Sequence, residues 1–199
     1  MLRLHRLALA ISRAGALAGG GLLLAAAIVI GVDVLLRSAF SRSIGGADEL
    51  SGYALAIATA WGLSFALLHR AHIRIDSLYE RFPAAVRAGL DIFSLLGFLL
   101  FVGLIAWRAW GVLRQSIASD THSISALSTP LAVPQALWLA GLVFLALTLL
   151  LLLAESLAAA IRGDLRAVAR LIGSKAVVEE VQEEIAAEAP RHGKLGGRP

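Results

Sequence analysis

The sequence lacks cysteine altogether. A disulfide framework and any cysteine-based metal site are thereby excluded, although the redox compartment stays open. Charge is also scarce: 16% of residues are charged, where a soluble domain carries about a quarter. Histidine is rare and badly placed for chemistry. His5, His69, His72, His122 and His192 all fall in termini, loops or the ends of apolar runs, and none lies inside one. That argues against haem or metal held within a bundle, which needs several ligands at matching depth. It also argues against an intramembrane serine protease built on Ser64, which needs a histidine on a second helix. No cofactor, no metal and no enzymatic activity are expected.

What the sequence has instead is apolar length. Hydrophobic residues make up 58% of the 199 positions, and mean hydropathy is +0.79. Four runs stand out, at 14–36, 50–68, 90–113 and 131–154. The first, of about 23 residues, makes a helix roughly 34 Å long, enough to cross a hydrocarbon core of about 30 Å. Its basic start at Arg3, Arg6 and Arg13 resembles a signal peptide, but the apolar core of a signal is shorter, so the run reads as a retained helix. Barrel strands alternate apolar and polar residues, and these runs do not. The expected fold is therefore all-α, an integral membrane bundle of four transmembrane helices occupying residues 1–157, with a tail from 158 to 199. No inverted repeat of the kind found in many complete transporters is visible.

The basic residues are distributed unevenly. The N-terminus, the loop with Arg70, Arg74, Arg81 and Arg87, and the stretch with Arg162, Arg166, Arg170 and Lys175 carry most of them. The other ends carry Arg37, Arg42, Arg108 and Arg114. By the positive-inside bias, both termini and the central loop face the cytoplasm, and loops 38–49 and 115–129 face outward. The net charge of +4 thus reads as orientation and contact with anionic membrane lipids. Nucleic acid is not an expected partner, because no basic stripe with interleaved aromatics appears.

Several helix faces carry information. Ala54, Ala58, Gly62 and Ala66 recur every four residues, and Gly15 and Gly19 have GxxxG spacing. Small residues let helices approach closely, either inside one bundle or against a second subunit. After Glu155, the residues Ile161, Leu165, Val168 and Ile172 form an apolar stripe and Arg162, Arg166 and Arg170 a basic one. This predicts an amphipathic helix on the cytoplasmic surface. An acidic stretch with Glu179, Glu180, Glu183, Glu184 and Glu188 follows, and 191–199 reads as disordered.

Ionisable groups in membranes are functional candidates by default. Asp33 is the deepest acid, and Arg37, four residues on, lies on the same helix face. The two read as a structural pair near the outer interface, with ion transport as the alternative. Asp48 and Glu49 open the second helix, where carboxylates offset the positive end of the helix dipole.

Two stretches resemble a known family. One is Ala47-Asp48-Glu49-Leu50-Ser51-Gly52-Tyr53. The other runs from Trp61 through Gly62 and His69-Arg70-Ala71-His72-Ile73-Arg74-Ile75-Asp76. Together they look like the small membrane subunit of the tripartite ATP-independent periplasmic (TRAP) transporters, whose members show an acidic start, a late glycine and a basic H-I-R-x-D loop. Asp33 to Arg37 and Thr129 to Pro134 are similar to other family segments, so the resemblance covers about 14–157. It implies a small non-catalytic subunit in the bacterial or archaeal inner membrane, scaffolding a large permease subunit. That large subunit takes up organic acids with sodium, delivered by a periplasmic substrate-binding protein. It marks Asp33, Arg37, Asp48, Glu49, Gly62, His72, Arg74 and Asp76 as structural or partner-contact residues. The rival reading is a stand-alone four-helix membrane structural or assembly protein.

Overall fold

The computed structural model describes residues 2–70 and 82–172. His72, Arg74, Asp76 and the acidic stretch beyond residue 172 lie outside the described residues. The described chain is helical: α1 Leu2–Phe40, α2 Ala47–Leu68, α3 Ala84–Ala118, α4 Ala132–Ile161 and α5 Leu165–Ile172. The first four are long and apolar enough to cross a membrane, which bears out the all-α membrane fold. Among the described residues no strand forms; His122 and Pro130 make one isolated bridge.

The helices overrun the apolar runs that announce them. α1 has 39 residues and α3 has 35, so they extend roughly 58 Å and 52 Å, well beyond a hydrocarbon core. A bilayer selects apolar side chains over its own thickness only, while helical hydrogen bonding continues past it until the chain meets a breaker. α1 stops before Ser41, and α2 begins after Gly45 and Gly46, which hold φ of +69° and +116°. α3 begins after Pro83, whose missing N–H costs nothing at a helix start.

The helices in substantial contact are α1 with α2, α2 with α4, and α4 with α3. The lateral order is thus α1–α2–α4–α3, a row with α4 standing between α2 and α3. α4 accordingly buries the most, including Leu145, Leu149 and Leu152, which pack with Leu95 and Val102 of α3 and Leu67 of α2. α1 and α3, at the two ends of the row, keep broad apolar faces uncovered, among them Leu17, Leu24, Leu35, Phe93, Leu100 and Trp107. In a bilayer such faces cost little, because lipid tails are as apolar as leucine.

Close approaches set the spacing of the row. A Cβ placed on Gly19 would sit 2.9 Å from the Ala58 Cα, and one on Gly15 would sit 2.8 Å from the Trp61 ring. The GxxxG pair therefore packs within this bundle. Trp61 also fills the notch at Gly141 of α4, stacks on Phe144 at 5.8 Å, and donates its indole N–H to the Leu137 carbonyl at 3.1 Å. The small-residue face of α2 is used for only part of its length. Ala54 and Ala58 are buried, but a Cβ on Gly62 would meet nothing within 4 Å.

The apolar stripe expected of α5 is divided. Val168 and Ile172 join the core formed with α3 and α4, and Ile161, assigned to the same stripe, is 86% exposed. The reason is the break at Gly163, with φ +73°, and the Asp164 carboxylate that accepts the Ala167 N–H at 2.9 Å. This turn resets the helical phase and folds α5 back over the end of the bundle.

Candidate functional site

Among the described residues, the polar side chains that the sequence singled out, Asp33, Arg37, Asp48 and Glu49, lie at the end of the helices where α1 passes to α2 and α3 passes to α4. Asp33 sits two turns before the end of α1 with no exposed surface. The Arg37 Nε donates to Asp33 Oδ2 at 2.7 Å, and Nη2 donates to the same oxygen. The other carboxylate oxygen, Oδ1, turns to the following loop. It accepts the Ser43 hydroxyl at 2.9 Å and the Ile44 N–H at 2.7 Å. The i,i+4 pairing was legible in the sequence. The loop contacts were not, because Ser43 and Ile44 are ten and eleven residues away, with no periodicity to announce them.

Glu49 plays the matching part on α2. It lies in the first turn, where its charge suits the helix dipole. It does not cap the helix, since the N-cap is Gly46 with no side-chain bond. Tyr53 donates to Glu49 Oε1 at 2.6 Å. Ser123 donates to Oε2 at 2.9 Å, and Ser125 donates to the same oxygen. Ser123 is 74 residues away, on the loop between α3 and α4. Ser125 also accepts the Leu127 N–H at 3.2 Å, and Leu127 closes over Gly46, where a Cβ would fall 2.5 Å from its Cδ1. Asp48, beside Glu49, stays exposed, and its carbonyl accepts the Ser51 hydroxyl at 2.7 Å.

The two carboxylates thus lie on a double clasp. Asp33 fastens the α1–α2 loop to α1, and Glu49 fastens the α3–α4 loop to α2. Every oxygen of both carboxylates accepts at least one hydrogen bond. A carboxylate engaged in this way positions loops. Among the described residues, no three metal-ligating side chains come together. Gly62 is remote from the clasp, two-thirds of the way along α2.

A family model described as the DctQ component of the tripartite ATP-independent periplasmic transporters matches residues 26–159, well over half of the chain. The chain belongs to this family. The match opens within α1 ahead of Asp33 and closes near the end of α4, so it takes in both halves of the clasp and the whole α2–α4 seam. Comparison with curated proteins and with solved structures returned no match. As a DctQ component, the chain is the small permease component of a TRAP transporter and a multi-pass membrane protein.

Proposed function

We propose that this DctQ component scaffolds the large permease subunit of a sodium-coupled transporter that takes up organic acids from a periplasmic binding protein, in the inner membrane, and that it performs no catalysis of its own. The observation that carries this reading is the division of its surface. The Asp33 and Glu49 carboxylates are engaged in fastening loops, while the apolar flanks of α1 and α3 remain uncovered along their length. A subunit that moved an ion would keep polar groups free along a path near the bilayer midplane. A scaffold needs rigid ends and broad apolar sides. His72, Arg74 and Asp76 are assigned to contact with the large subunit, and both termini to the cytoplasm.

The test is co-expression with the neighbouring permease and binding-protein genes. Retention of a large polytopic protein through purification, and sodium-gradient-dependent uptake only when both membrane subunits are reconstituted, is the expected result. Uptake by the large subunit alone at an undiminished rate would refute the scaffold role. Orientation is read from single cysteines in this cysteine-free chain. An impermeant thiol reagent added outside should label Ile124→Cys and leave Ser77→Cys untouched.

A further inference from the structure

A cavity of about 110 Å³ opens between α2 and α4 close to their starts, lined by Tyr53, Ala56, Leu131, Pro134, Gln135 and Trp138. Its walls are apolar and aromatic apart from one feature. The Gln135 Oε1 atom is shielded from solvent and receives no hydrogen bond from the described residues. Buried acceptors in folded proteins are nearly always paired, so this one marks a place where a donor from outside the chain belongs. The Tyr53 hydroxyl cannot supply it, because it donates to Glu49.

We propose that this cavity binds the primary ammonium group of a phospholipid headgroup, phosphatidylethanolamine being the bilayer lipid that carries one. Four observations converge on that chemistry. The first turn of α4 and the second of α2 lie at the end of the spans, the level of the headgroup layer, where tryptophan and tyrosine gather. The lining offers acceptors and ring faces: Gln135 Oε1 for a hydrogen bond, Tyr53 and Trp138 for a cation over aromatic surface. Among the described residues no lysine, arginine or histidine lines it, so a phosphate finds no partner on them and stays outside while the ammonium enters. Glu49, bonded to Tyr53, places negative charge immediately behind the wall. The space exceeds that of one water, about 10–15 Å³, and water would leave the ring and proline surfaces wet.

Native mass spectrometry of the full-length protein, released from nanodiscs of defined composition, tests the site. Phosphatidylethanolamine should be retained over phosphatidylcholine by about fivefold, the worth of one hydrogen bond, because the trimethylated choline has no N–H to give. Gln135→Leu should abolish the preference. Gln135→Glu, which presents acceptors whichever way its carboxylate turns, should keep or strengthen it. Ala56→Phe should fill the space and remove the preference while leaving the helices assembled. Survival of the preference in Gln135→Leu overturns the proposal. So does its loss in Gln135→Glu, which would mean that the amide acts through its N–H. Equal retention of phosphatidylglycerol, a hydroxyl donor without an ammonium, overturns it as well. None of these outcomes bears on whether the chain scaffolds a permease.

Discussion

Asp33 and Glu49 show how the same residue type can carry opposite meanings. An acid placed deep in a transmembrane run is expensive and usually signals a transported ion or a proton relay. Here each acid is surrounded by donors from its own chain, and the cost of burying it is offset by hydrogen bonds to charged or hydroxyl groups. The consequence is local order. Asp33→Ala should free the Ile44 N–H and raise hydrogen exchange across 43–46 by about tenfold, the effect of losing one to two such bonds. Glu49→Gln should leave that segment unchanged and loosen 122–127 instead. Exchange measured by mass spectrometry separates the two, and a rise at both loops in either variant would show that they open as one unit. Of this clasp, the sequence made only the Asp33–Arg37 half visible, because helical spacing reports neighbours four residues apart. Ser123 and Ser125 carry no such signature. Their pairing with Glu49 exists only once α2 and α3 have carried the chain away and back to the same end.

At the scale of the helix, composition located every span, and the fine placement came from packing. Four apolar runs gave four helices, yet each helix outgrew its run, since polarity records the bilayer and hydrogen bonding does not. The GxxxG pair in α1 left two readings open, and the contact between Gly19 and Ala58 decides for packing inside this bundle. Gly19→Leu should therefore destabilise the α1–α2 pair by about 1–3 kcal/mol through overpacking against backbone. At Gly20, one residue on, an added Cβ meets nothing within 4 Å, and Gly20→Leu should be near neutral. Reversible unfolding in bicelles compares them, and equal effects would show that the helix interior, rather than the contact, dislikes the longer side chain. α5 was visible as an amphipathic pattern, but a pattern does not say which apolar surface it will find. Val168 found the core of α3 and α4 instead of lipid.

On the scale of the whole molecule, the row α1–α2–α4–α3 consists of two sequential pairs. α1 and α2 are adjacent in the chain and in space, and so are α3 and α4. Among the described helices that span the bundle, α2 against α4 joins the halves extensively, with the Trp61 ring lodged at Gly141. The Glu49 bonds to Ser123 and Ser125 reinforce that junction at one end. The architecture therefore behaves as a pair of hairpins meeting along a single seam, which makes the polypeptide divisible. Separate expression of 1–75 and 76–199 in one cell should yield two fragments that insert independently and purify together. Gly141→Leu should abolish that association while each hairpin still inserts, because the leucine occupies the seat of the Trp61 ring. Continuity of the backbone, on this view, delivers the two halves to the membrane at equal dose, and recognition between them rests on that seam, where Trp61 seats at Gly141 and Leu67 packs on α4.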